Sequence, residues 1–249
     1  MTRHPLFLAA LVSLSLGSLW TNASAQNVPA YVTAAVNDRS RPAADTMRDA
    51  ARKPAESIAF SGVKPGDKVA DFIAGGGYFT RIFSKVVGPQ GHVYATETGG
   101  MMMGAPAAAM PMGPAGAMPM GRPAAGMPMG GAADPLKAIA ADPAYSNVTV
   151  LTQPVSKLMV PEPLDVVWTA QNYHDLHNPG MFHADDIAAF NKSVFNALKP
   201  GGVFLVIDYA SAPGAGFTQS ATLHRGDPEA EKAEILKAGF VFDGESKVL

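Results

Sequence analysis

Past residue 60 the chain alternates short apolar runs with stretches whose apolar positions recur at helical spacing. The first run, Val69 to Ile73, meets three glycines, Gly75, Gly76 and Gly77. Tyr78, Phe79, Ile82, Phe83, Val86 and Val87 then repeat at three- and four-residue intervals, which predicts a helix ending at Gly88-Pro89. A second strand, His92 to Ala95, runs to Glu97, twenty residues past the last glycine. Further strands are expected at Val148 to Leu151, at Leu164 to Ala170, and at Val203 to Asp208, the last apolar enough for burial on both faces. A sixth begins at Phe240-Val241-Phe242. Between them, helices are predicted through Leu136, Ile139 and Ala140, over Asp185 to Leu198, and over Glu229 to Lys237. Asn37 to Phe60 also reads as helical, with Asp45 as a cap and Met47, Ile58 and several alanines turned inward. Pro54 breaks that stretch into two shorter helices or a kink.

Strands alternating with helices, and apolar through their interiors, predict an α/β fold with a mostly parallel sheet and helices on both faces. In such sheets ligands bind beyond the carboxyl ends of the strands. Gly75 to Gly77, Glu97, Asn172 to Asp175 and Asp208 are therefore expected on one rim. The strand–glycine turn–helix–strand–acid order suits an adenosine-type cofactor: glycines let backbone approach the ligand, and a carboxylate at the end of the second strand accepts hydrogen bonds from ribose hydroxyls.

Two segments fall outside the α/β pattern. Arg3 and His4, the apolar run Leu6 to Trp20 and the small residues Ala23-Ser24-Ala25 read as a cleaved secretory signal over residues 1–25. That run is short for a membrane span of ~20 residues, so an exported soluble protein beginning near Gln26 is expected. Residues 99–131 are almost entirely Met, Pro, Gly and Ala and carry nine of the thirteen methionines, a composition that sustains neither helix nor strand. The single domain is thus 26–98 joined to 132–249. With no cysteine the fold rests on its own core. A net charge of −2 without a basic patch argues against nucleic acid as a partner. Oligomeric state is not legible.

Asp71-Phe72-Ile73-Ala74-Gly75-Gly76-Gly77 resembles the first motif of class I S-adenosylmethionine-dependent methyltransferases, and Glu97 matches the acid after their second strand. Leu198-Lys199-Pro200-Gly201-Gly202 before Val203 to Asp208 is similar to their junction into the fifth strand. More narrowly, Arg48-Asp49-Ala50-Ala51-Arg52, Gly75 to Phe79, Asn172 to Leu176 and Leu223-His224-Arg225 resemble a group of exported bacterial predicted methyltransferases. The resemblance implies a Rossmann-like sheet and S-adenosyl-L-methionine as cofactor. It implies a cofactor set of Asp71, Gly75, Gly76, Gly77, Glu97 and Asn172, and places Asn172, Tyr173, His174 and Asp175 where such enzymes carry catalytic or substrate-facing residues; it names no substrate, and an unknown small molecule is the expectation. Three features depart from the family pattern. Ile73 stands at the first glycine position, Thr152-Gln153-Pro154 replaces the acid after the third strand, and no last antiparallel strand is evident before Leu249.

His174 is the candidate general base, since an imidazole titrates near neutrality; Asp175 would orient it or bind substrate, and Tyr173 would contact the sulfonium or shape the pocket. His174 and His177, with His183 and His224, also carry metal-ligand chemistry, but Asn178-Pro179 argues for a loop and no third ligand is set by spacing, so no metal is assigned. His224-Arg225 can reach the pocket. Arg48, Arg52, Lys53 and Glu56 read as a solvated helix face. The expected function is methyl transfer; the alternatives are a non-catalytic ligand-binding protein on the same fold, or Cu(I) handling by the paired methionines of the insertion.

Overall fold

The computed structural model describes residues 27–98, 134–181, 184 and 186–249. The expected signal, the methionine-rich segment and His183 lie outside the described residues. Four short helices come first: α1 (Ala30–Val36), α2 (Ala43–Thr46), α3 (Asp49–Arg52) and α4 (Pro54–Ser61). Then follow β1 (Lys68–Phe72), α5 (Tyr78–Val87), β2 (His92–Glu97), α6 (Pro135–Ala141), β3 (Val148–Thr152) and β4 (Leu164–Ala170). A 3-10 turn at His174–His177 leads to α7 (Ile187–Ala197), β5 (Leu198–Ile207), α8 (Ser220–Leu223) and α9 (Pro228–Lys237). No described helix is long and apolar enough to cross a membrane.

The sheet has the order β3-β2-β1-β4-β5, and every pairing is parallel. Successive strands step to one side of β1 and then, from β4, to the other, so the order reverses between β1 and β4 and opens a crevice at their carboxyl ends. The two faces follow from strand alternation. Val69, Val93, Ala95, Val166 and Trp168 point toward α1, α4, α5 and α6. Ala70, Phe72, Tyr94 and Val167 point the other way, against α7 and the 3-10 turn. Phe79 and Phe83 of α5 lie 4.7 and 5.1 Å from the Trp168 ring, which fixes α5 over the centre of the sheet. Burial of each such ring contributes roughly 1.5–3 kcal/mol.

Several expectations change. The helical reading of Asn37 to Phe60 resolves into α2, α3 and α4, while α1 lies upstream of it. Lys53 takes a left-handed backbone (φ 43°), and Pro54 opens α4 where its missing N–H costs nothing. Asp45 does not cap. It is buried within α2 and holds Arg48 and Arg81, while Met47 is exposed. β5 is not buried on both faces. It is an edge strand, and of Val203 to Ile207 only Leu205 is buried. Phe240 to Phe242 form no strand; Phe240 instead packs its ring against Phe195 and Phe204.

The glycine turn is shaped from two sides. Gly77 (φ 76°) sits under α6, and a Cβ there would come within 2.2 Å of Ile139 Cδ1 and 3.2 Å of Leu136 Cδ2. Gly75 (φ 56°) has nothing within 4 Å of an added Cβ. Gly75→Ala should therefore cost only the left-handed penalty of ~1–2 kcal/mol. Gly77→Ala adds overpacking of ~1–3 kcal/mol. Urea unfolding of both variants should place Gly77→Ala as the less stable; the reverse order would contradict this packing.

Candidate functional site

The rim is built where β1 leaves the sheet. Ile73 adopts φ 54°, an unusual conformation for a β-branched residue. Thr96 and Asn172 hold it there. The Ile73 amide donates to Thr96 Oγ1 at 2.9 Å, the Ala74 amide to the Thr96 carbonyl at 3.0 Å, and Asn172 Nδ2 to the Ile73 carbonyl at 3.2 Å. Asn172 also donates to the Ala170 carbonyl at 2.8 Å, so its amide group ties the end of β4 to the glycine turn. The turn then exposes Gly75 and Gly76.

Glu97 stands two residues beyond Ala95, the register partner of Asp71, and is thus level with the bent Ile73. Thr152 donates to its Oε1 at 2.5 Å and Lys137 Nζ approaches the same oxygen at 3.4 Å. Asp71 takes a different place from that expected. It is buried beneath α5 and accepts the Thr80 hydroxyl at 2.6 Å. Burial pushes its carboxyl up to about 7, against the pull of the Thr80 hydrogen bonds and the Arg52 charge.

Arg52 is half-buried rather than part of a solvated face. Its guanidinium donates to Gln171 Oε1 at 2.8 Å and lies 4.8 Å from the Tyr78 ring centre. Gln171 itself has φ 65° and passes its amide to the Tyr209 hydroxyl at 2.6 Å. Arg52 thus meets an amide oxygen where a cation more often meets a carboxylate. Its neighbours Arg41 and Asp49 pair in two contacts of 2.7 and 2.8 Å, with Tyr78 donating to the same Asp49.

On the far side of the crevice the 3-10 turn carries the predicted substrate residues. Tyr173 is fully buried and turned inward, its hydroxyl accepting from Asn191 at 2.8 Å and lying 3.4 Å from Glu234 Oε2. His174 is 1% exposed. Its Nδ1 meets Asp208 Oδ1 at 2.6 Å, and its backbone amide donates to Asp208 Oδ2 at 2.7 Å. Its Nε2 lies 3.3 Å from Asp175 Oδ1. Burial alone would disfavour the imidazolium, but the two carboxylates beside it, Asp175 and Asp208, more than offset it and raise its pKa to about 9. At neutral pH His174 is therefore a held cation, not a free base. Asp175 also receives His224 Nδ1 at 2.9 Å and Asn178 Nδ2 at 3.1 Å.

His177 is not drawn to the same point. It pairs with Glu234 at 3.0 Å and stacks on Phe217, with ring centres 3.4 Å apart. His224 takes the place that the His174/His177 spacing suggested. Glu231 of α9, buried and near Asp208, has its carboxyl pushed up to about 8 by burial and by that neighbouring charge. Arg52, Glu231 and Glu234 were not legible as site residues, because charges at helical spacing read as solvent-facing; the folding of α3 and α9 against the rim is what turns them in.

No family model and no curated protein matches the sequence. Among solved structures, a SAM dependent methyltransferase from Aquifex aeolicus is similar at 19% identity and a TM-score of 0.48, over 73% of this chain and 76% of that one. An S-adenosylmethionine dependent methyltransferase from Mesorhizobium loti matches at 16% identity and 0.48, over 75% and 80%. Aeropyrum pernix fibrillarin with natively bound S-adenosyl-L-methionine matches at 14% and 0.42, over 74% and 63%. Identities and TM-scores this low leave function to be read from the site's own residues.

Asp71 supplies a pH test. Its ordinary pKa of 3.8 is raised to about 7 in the fold, so the folded state holds a proton that the unfolded chain has lost. Stability from this group is full below the lower value and is lost as pH rises through the upper, at up to ~1.4 kcal/mol per pH unit. Chemical denaturation between pH 5 and 8 should show wild type losing stability relative to Asp71→Asn, which carries no titrating proton. Parallel curves would contradict the buried protonated carboxyl.

Proposed function

We propose that the rim binds S-adenosyl-L-methionine and transfers its methyl group to a small molecule. The observation that carries this reading is the exposed turn Gly75-Gly76, with nothing within 4 Å of an added Cβ at either, set level with the carboxylate of Glu97 at the end of the neighbouring strand. A turn without side chains lets the ligand lie on backbone, and an acid one strand away is placed for a ribose diol. The cofactor, when bound, supplies an electrophilic methyl on a sulfonium. Gly75, Gly76 and Gly77 would flank its amino-acid end, with Glu97 at the ribose and Arg52 at the carboxylate. Guanidinium geometry matches a carboxylate fork, and Arg52 is joined to a neutral amide that a ligand can displace.

The substrate would lie across the crevice, against His174, Asp175 and the half-exposed His224. Tyr173 and Asn172 act there by fixing the 3-10 turn and the glycine turn rather than by touching reacting atoms. A protonated His174 and the ionised Asp175 orient a polar substrate; the exposed His224 is the imidazole in a position to take a proton. In an exported protein, a location we also propose from the leader, cofactor supply becomes the constraint, which favours the ligand-binding alternative if affinity for the cofactor is absent.

Calorimetric titration of the purified protein with S-adenosyl-L-methionine and S-adenosyl-L-homocysteine tests this. Saturable micromolar binding is expected. Glu97→Ala and Arg52→Met should each weaken it about tenfold or more, the loss of a charged hydrogen bond worth ~1.5–3 kcal/mol. A folded protein that binds neither compound would end the methyltransferase reading.

A further inference from the structure

His174, Asp175 and His224 each bring one donor atom to a common point. We propose that His174 Nε2, Asp175 Oδ1 and His224 Nδ1 form a binding site for a divalent first-row transition metal ion of the zinc class, a site independent of the cofactor reading.

The geometry comes first. The three donor atoms all lie within 4.8 Å of one another, with Nε2 of His174 3.3 Å and Nδ1 of His224 2.9 Å from the Asp175 oxygen. Ligands on bonds of ~2.0–2.1 Å, at angles between square and tetrahedral, stand ~2.9–3.4 Å apart. Two of the three separations already fall in that range, and the exposed His224 ring is the one with room to move in on an ion. Two imidazoles and one carboxylate select a borderline transition metal over magnesium or calcium, which prefer oxygen alone.

A second observation is independent of the spacing. His174 Nε2 is buried and has no hydrogen-bond partner, in a residue only 1% exposed. The ring is not free to turn away, because Asp208 grips both its Nδ1 and its backbone amide. Protonated in the metal-free fold, the ring would release its Nε2 proton as an ion binds; with Nδ1 still donating to Asp208, Nε2 then presents a lone pair beside the Asp175 carboxylate oxygen. A metal ion satisfies both. Asp208 then stands as the outer carboxylate that orients a ligating histidine, and Asn178 does the same for Asp175 through its 3.1 Å hydrogen bond.

The surroundings fit a cation. Glu231 adds a third buried carboxyl group beside Asp208, with its Oε1 also lacking a partner. The His224 side chain is 47% exposed, on a left-handed residue that follows α8 (φ 51°), so the site has an access route and an open coordination position toward solvent. Three protein ligands with one open position is the arrangement in which zinc keeps an exchangeable water.

The test titrates the full chain, freed of metal by a chelator, with Zn2+ by calorimetry and with Co2+ by visible absorption. One ion per chain is expected, and the Co2+ form should show the intense d–d bands of a four- or five-coordinate nitrogen–oxygen site. His224→Asn, at an exposed position, should abolish those bands with the fold retained by circular dichroism. Asp208→Asn should weaken binding ~10- to 100-fold. His177→Asn, outside the set, should bind as the parent does. Absence of saturable binding in a folded sample, or His224→Asn binding as tightly as the parent, overturns the proposal. S-adenosyl-L-methionine affinity in the same samples is a separate reading, so the metal site and the cofactor site fail independently.

Discussion

The left-handed bend at Ile73 sets the position of everything on the rim. A parallel strand buried on both faces must end by turning its backbone out of the sheet, and here the turn falls on a β-branched residue at a cost of ~1–2 kcal/mol. A hydrogen bond donated to Thr96 on one side and one accepted from Asn172 on the other hold it. Because those partners sit at the ends of β2 and just after β4, one bend couples three strand ends. Gly75 and Gly76 are thereby aimed outward, Gly77 inward against α6, and Glu97 is left level with the opening. A glycine at position 73 would take the same φ without strain but would give up the side chain of a residue that is 9% exposed and belongs to the buried cluster of Tyr94, Leu176 and Phe190. The core gains from the branched side chain what the backbone loses.

Two buried charge systems flank that bend, and they solve desolvation differently. Beneath α5, Asp71 has only Thr80 as its close hydrogen-bond partner, so burial wins and the acid drifts toward its neutral form. Across the crevice, His174 is bracketed by two carboxylates, and opposite charge wins over burial. Removing either carboxylate would leave a buried ion with half its compensation, which is far costlier than the pair is worth. This cluster lies at the carboxyl end of β4 and β5, the side on which open parallel sheets bind ligands.

The strand–turn–helix unit was legible because its signals are local. Val69 to Ile73, the glycines, the α5 stripe and the β2 acid lie within thirty residues, and each has a periodicity or a residue type that admits few conformations. The rest depended on distance. Phe240 to Phe242 have strand composition, but composition does not tell a strand from an aromatic plug, and Phe240 packs on Phe204 from outside the sheet. Val203 to Ile207 look doubly buried in isolation; the order of the sheet makes β5 an edge. Asp45 has a cap's chemistry but a salt bridge's position, because Arg81 arrives from α5. His174 and His177 were separable as ligands only once the 3-10 turn set them apart and the αL residue His224, 49 residues on from Asp175, came in beside it.

The two ends of the crevice are also joined mechanically. Gln171, in a left-handed conformation at the exit of β4, takes the Arg52 guanidinium on one side and reaches Tyr209 on the other. Tyr209 directly follows Asp208, whose carboxylate grips His174 and also accepts the Tyr209 amide at 2.8 Å. A ligand carboxylate that drew Arg52 off Gln171 would therefore release one end of a hydrogen-bonded chain whose other end orients the His174 ring. Four consecutive contacts, Arg52–Gln171, Gln171–Tyr209, Tyr209–Asp208 and Asp208–His174, run from the glycine-turn side to the histidine side, with Gln171 between the two. Strain at Gln171 then has a physical reason: a residue in the relaxed β region would carry the strand on past the rim and could not face Arg52 and Tyr209 at once.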